Sequence, residues 1–148
     1  MDETVSFEHK KSLIKNQACF KVLNDEEISE LTELFGVKHY MAGDVIVTEG
    51  DPVESVFIIA SGTAEVLHTW IDNGVPKTDK LADLGPEKAI GLSETGLYSL
   101  SGLRTATVVA TSNMALICLN VTLFNGFVLS HSHISKVLHA LAAKKDKF

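Results

Sequence analysis

Arg104 is the residue whose setting most calls for chemistry. It heads a run in which Ala106, Val108 and Ala110 alternate toward one face, a spacing that aims the guanidinium inward with them. A buried arginine needs an anion, because an unpaired charge in an apolar interior is very unfavourable. Earlier in the chain stands Glu94, followed by Thr95, Gly96, Leu97 and Tyr98, a stretch that predicts one turn of helix with unused backbone N–H groups at its start. Such donors, added to a guanidinium fork, make a cradle for a phosphate. On these residues alone a plainer alternative stands beside it: two exposed charges, or a modest ion pair.

Other constellations offer less. The chain has six histidines, but none sits in a zinc-ligand spacing supported by cysteines, and there is no Gly-x-Ser-x-Gly elbow or Walker-type loop. No catalytic or metal-ligating residue is therefore assigned, and no enzyme activity is expected. A metal-dependent β-barrel enzyme would need histidines and a carboxylate on adjoining strands, and only His68 falls in a candidate strand. His131-Ser132-His133 reads as a solvated helix start capped by Ser132, and Lys144 to Lys147 as a polar tail that complements a helix dipole. Cys19 and Cys118 have no metal or redox spacing and read as free thiols.

The elements that must position Arg104 are legible in outline. Leu13, Ile14 and Phe20 belong to a first helical segment; Asn24 suits the cap of a second, with Asp25 to Glu27 at its positive end and Gly36 as its stop. From Val37 the texture becomes β-rich: Val45 to Val47, Val56 to Ala60, Ala64 to Trp70, Thr105 to Ala110 and Met114 to Leu119, a spacing that predicts an antiparallel roll or barrel. Asn73-Gly74 predicts a tight projecting hairpin. After Asn120 two amphipathic helices are expected, one with Phe124, Phe127 and Val128 and one with Ile134, Val137, Leu138 and Leu141.

With 148 residues, 45% of them hydrophobic, the chain suits a single domain, 1–148. A formal charge of −6 argues against a nucleic-acid footprint, so no direct DNA binding is expected, and any anion must be held locally. No apolar run approaches the roughly 20 residues of a membrane span. The start lacks a secretory signal, so no membrane association and a cytoplasmic location are expected.

Between Phe20 and Val66 the turns carry a resemblance: Ala42-Gly43-Asp44-Val45-Ile46, then Glu49-Gly50-Asp51, then Val56 to Val66 through Ser61-Gly62. In that order they resemble the cyclic-nucleotide-binding domain, as found in bacterial catabolite activators and the regulatory subunits of protein kinase A. The resemblance extends over about residues 20 to 145. It implies a mainly β fold with flanking helices: helices in 1–36, an eight-stranded antiparallel β-roll, jelly-roll-like, in 37–119, a phosphate-binding cassette with a short helix in 91–107, and lid helices in 120–148. It implies Arg104 on the cyclic phosphate, Glu94 on the ribose 2′-hydroxyl, and supporting contacts from Gly91, Ser93, Thr95, Gly96, Leu97 and Thr105. Val66 and Leu81 would face the base. Two residues appear extra before the cassette, and counted from Leu84-Gly85-Pro86 the ribose position falls on Leu92 instead.

The function so implied is a sensor that binds cAMP or cGMP, carries no other cofactor and signals by moving its last helix. The alternative is a degenerate fold that has lost its ligand and serves as a protein-interaction domain. Any effector would be a separate polypeptide, or the chain a fragment of a larger one. Oligomeric state is not readable.

Overall fold

Asn24 starts a helix because its side chain replaces a missing backbone acceptor. The computed structural model of the chain describes residues 5–93, 96–97 and 102–131. In it the Asn24 side chain accepts from the Glu27 backbone N–H at 2.8 Å while Glu27 accepts from the Asn24 N–H at 2.8 Å, a reciprocal capping box that opens α2 (Asp25–Leu34). A shorter helix, α1 (Phe7–Lys15), precedes it, capped by Ser6. The Asn24→Ala variant is expected to lose about 1 kcal/mol, which lowers the melting temperature by about 2–4 °C; circular-dichroism melts measure this. Gly36 is not the helix stop. The helix ends at Leu34 because Phe35 takes an extended conformation that buries its ring to 2% exposure, and Gly36 opens the first strand.

The strands are β1 (Gly36–Tyr40), β2 (Val45–Val47), β3 (Ser55–Ser61), β4 (Ala64–Asp72), β5 (Val75–Leu84), β6 (Ala89–Ile90), β7 (Leu92–Ser93), β8 (Gly96–Leu97), β9 (Thr107–Ala110) and β10 (Met114–Asn120), followed by α3 (Val121–Leu129). Eight of them form two four-stranded sheets, in the orders β1-β10-β3-β6 and β2-β9-β4-β5, antiparallel throughout, which is the expected roll. The remaining pair, β7 and β8, makes a separate ribbon. In β3, Val56 and Ile58 pack toward the helices while Phe57 and Ile59 face the roll interior; β10 divides likewise, with Ile117 and Leu119 on one side and Met114 and Leu116 on the other. A sheet wall buried on both faces has no polar side, which is why these two strands read as continuous apolar runs. The second sheet supplies Ile46, Val66, Val108 and Ala110 to the same interior.

The hairpin is present, with φ of 52° at Asn73 and 79° at Gly74. Its turn closes on the Asp72–Val75 pair, so by antiparallel alternation Pro76, Thr78 and Lys80 turn their backbones to the open edge of the sheet. Proline has no N–H to offer there, and with Lys80 it blunts an edge that would otherwise recruit another strand. Asn120 caps α3, which buries Phe124, Phe127 and Val128, and the rings of Phe20 and Phe124 lie 6.0 Å apart. The expected last helix around Ile134 to Leu141 and the tail from Lys144 to Lys147 lie outside the described residues.

Candidate functional site

Arg104 is brought to the roll by backbone lacing. Its N–H donates to the Asp51 carbonyl at 2.8 Å and its carbonyl accepts from the Gly50 N–H at 2.8 Å, while Val53 N–H reaches the Gly102 carbonyl at 2.7 Å. The strand expected from Thr105 begins only at Thr107, because residues up to Arg104 bond to the 50–53 turn instead of a ladder partner. Ala106, Val108 and Ala110 nevertheless sit in the roll interior, as their alternation implied.

The arginine side chain is 9% exposed. Nη2 donates to the Ser55 carbonyl at 2.6 Å, and the guanidinium carbon lies 6.0 Å from the centre of the Phe57 ring. Gly91, at φ +91°, leaves room for it: a Cβ there would stand 3.1 Å from Nη1 and 3.2 Å from Val56 Cγ1. Burial lowers the Arg104 pKa, and the neighbouring Cys118 and Glu54 oppose that shift; a guanidinium is basic enough to stay cationic nonetheless. Among the described residues it forms no ion pair within 4 Å. A cavity of about 210 Å³ opens beside it, lined by Lys38, Tyr40, Ile46, Asp51, Glu54 and Phe57 among others. A nearly buried cation with one nitrogen tied to a carbonyl and an adjoining space has donors left with which it can hold an anion.

Outside this geometry, the sequence itself matches residues 37–131 to the family described as "Cyclic nucleotide-binding domain". The chain belongs to that family. Its resemblance to a cGMP-dependent protein kinase of Plasmodium berghei is 30% identity over 113 residues, 76% of this chain and 12% of the kinase, so the chain spans only a small part of that relative. Among solved structures, the N-terminal domain of a transcriptional regulator from Streptomyces coelicolor superposes with a TM-score of 0.73 at 23% identity, covering 89% of this chain and 88% of that one. The regulatory domain of Toxoplasma gondii protein kinase A, solved with cAMP, gives 0.70 at 21% identity over 82% of this chain and 44% of that one. Both likenesses establish the fold alone.

Within the cyclic nucleotide-binding fold, the structure brings Arg104 and Gly91 together and places Val66, 3% exposed, in the adjoining roll interior. Leu81 is not gathered there: it is 45% exposed, beside the β-bulge that interrupts the β4–β5 pairing. Thr105 is itself exposed, between the buried Arg104 and Ala106. Leu92, the competitor for the ribose position, is 8% exposed and packs in the helix-side core. Glu94 and Thr95 lie outside the described residues. The expected cassette helix is corrected in part: Gly96–Leu97 is extended and pairs with Leu92–Ser93, because glycine is a poor helix former and the pairing satisfies its backbone groups locally.

Sequence reading missed the Ser55 carbonyl, Phe57, Glu54 and Cys118 as neighbours of Arg104. His68, the candidate-strand histidine, is held by Glu49 at 3.0 Å and stacks on Trp70, while His39 falls in β1 and is exposed. Among the described residues no three His, Cys, Asp or Glu side chains gather as a metal site, and no helix is long and apolar enough to cross a membrane. Both cysteines are free thiols, with burial pushing Cys19 up to about 12.

Proposed function

We propose that this chain binds a purine 3′,5′-cyclic nucleotide, cAMP or cGMP, and acts as a non-catalytic sensor. Arg104 pairs with the cyclic phosphate, Glu94 accepts the ribose 2′-hydroxyl, and Gly96 and Thr105 add phosphate contacts. Val66 faces the base, and closure of the cassette moves the C-terminal helix that an effector protein reads. The observation that carries this reading is the nearly buried Arg104, braced by Ser55 and without an ion-pair partner among the described residues. Leu92 supports Glu94 as the ribose contact, since a side chain committed to the helix-side core does not point into the roll. The kinase of Plasmodium berghei is named for cGMP and the Toxoplasma gondii domain was solved with cAMP, so both nucleotides are to be tried.

Thermal unfolding with each nucleotide tests the proposal. A ligand at about 100 times its Kd stabilises the folded state by about 2.7 kcal/mol, an upward shift of several degrees for a domain of this size. The pairing of β7 with β8 favours a second reading, a ligand-free interaction domain, because it replaces the expected start of the cassette helix. No shift with either nucleotide would overturn the sensor and support that second reading.

A further inference from the structure

Just past the end of α3, the ring of His131 reaches α2 at Glu30, 101 residues earlier in the chain. Its Nε2 lies 2.9 Å from Glu30 Oε1 on α2, and its Nδ1 lies 2.8 Å from the Phe127 carbonyl on α3 and 3.0 Å from Ser130 Oγ. The ring also packs on Phe127, with centroids 4.5 Å apart. Ser130 Oγ itself bonds the Phe127 carbonyl at 2.9 Å. A carboxylate and a carbonyl are both acceptors, and a neutral imidazole has only one N–H to give. Only the doubly protonated ring donates to both partners at once.

We propose that His131 is a proton-operated clasp that fastens the last turn of α3 to α2. Among the described residues the charged groups facing it agree in sign: α2 contributes Glu30 and, one turn earlier, Glu27, and α3 contributes no charged side chain. The hydrogen bond to the Phe127 carbonyl, opposed next by burial of the ring, and then the bond and attraction to Glu30 and the attraction of Glu27, leave the His131 pKa raised above its ordinary 6.5. A raised value means that the clasp contributes fully below the unfolded-state value and is lost as pH rises through the folded-state value. Its ring is 22% exposed and Glu30 52%, so the effect is local and modest in energy. What it sets is the joint at which α3 ends, a place where a small bias decides between a tied and a frayed last turn.

Two measurements on the full chain test it. Imidazole NMR resonances followed from about pH 5 to about pH 8.5 should place the His131 midpoint above the ordinary histidine value, and Glu30→Gln, which keeps the shape of the side chain, should lower it. Hydrogen exchange of the Ser130 and His131 amides, corrected for the intrinsic effect of pH, should lose protection several-fold between the two ends of that range. The same amides in His131→Gln should show no such pH dependence. An unshifted midpoint in the native chain, a midpoint untouched by Glu30→Gln, or equal pH dependence in native and His131→Gln proteins would each overturn the clasp.

Discussion

Replacing Arg104 with alanine is expected to weaken cyclic-nucleotide binding by about 2 to 5 kcal/mol, on the order of 30-fold to a few thousand-fold. Most of that loss comes from what is left behind. The phosphate would enter a site whose walls include Phe57 and Ile46 and find the exposed Lys38 but not the guanidinium the fold had already desolvated. The variant also strands the Ser55 carbonyl, which Nη2 now satisfies at 2.6 Å, so a stability loss of about 1–3 kcal/mol should accompany it. Arg104→Lys separates the two effects. It keeps a charge but offers no planar fork to hold Ser55 and a phosphate oxygen together, so binding should fall between that of the native chain and the alanine variant. Titration calorimetry with cAMP and cGMP, on variants whose melts confirm folding, reads the result. A folded Arg104→Ala protein with native affinity would remove the basis of the sensor.

Arg104 was legible in the sequence because burial and alternation are local signals: an arginine in phase with Ala106, Val108 and Ala110 goes where they go. Its neighbours were not, since Ser55 and Phe57 meet it across nearly fifty residues and touch it through a carbonyl and a ring face, neither of which leaves a motif. Strands buried on one or both faces, β3, β4 and β10, announced themselves through apolar content. The greater part of β5 did not, because its residues from Val75 to Leu81 are exposed and its strand character comes from pairing with β4. The Gly36 stop failed for a related reason: a glycine near a helix end is ordinarily its terminator, but here the burial of Phe35 decided where the chain left the helix. Gly96 shows the same override, a tertiary pairing prevailing over a local expectation. The His131 contact was invisible in principle, for a histidine in a polar triplet carries no sign of a glutamate a hundred residues away.

Gly62→Ala is expected to be the most damaging single-atom-scale change in the roll, destabilising it by about 2 to 4 kcal/mol. Two costs combine. At φ +93° the backbone is in a region that L side chains rarely adopt, and a Cβ there would lie 2.5 Å from the Asn113 carbonyl oxygen, 2.7 Å from Met114 Cγ and 2.9 Å from Met114 Cα. Two of those three atoms belong to backbone and cannot rotate away. Retreat of the β3–β4 turn is opposed as well, since Thr63 N–H donates to Ser112 Oγ at 3.0 Å, Thr111 N–H to the Thr63 carbonyl at 2.9 Å, and the two threonine hydroxyls meet at 2.8 Å. Gly43→Ala supplies the control: its φ of +95° is nearly the same, yet nothing lies within 4 Å of the added Cβ, so it should lose only the strain, about 1–2 kcal/mol. Urea titrations of the two variants measure the difference directly, with the midpoint of Gly62→Ala expected clearly below that of Gly43→Ala. Equal midpoints would mean that the turn yields, and that the contact between the β3–β4 turn and Met114, whose side chain reaches the interior shared with Val66, is not what holds the roll around Arg104 in register.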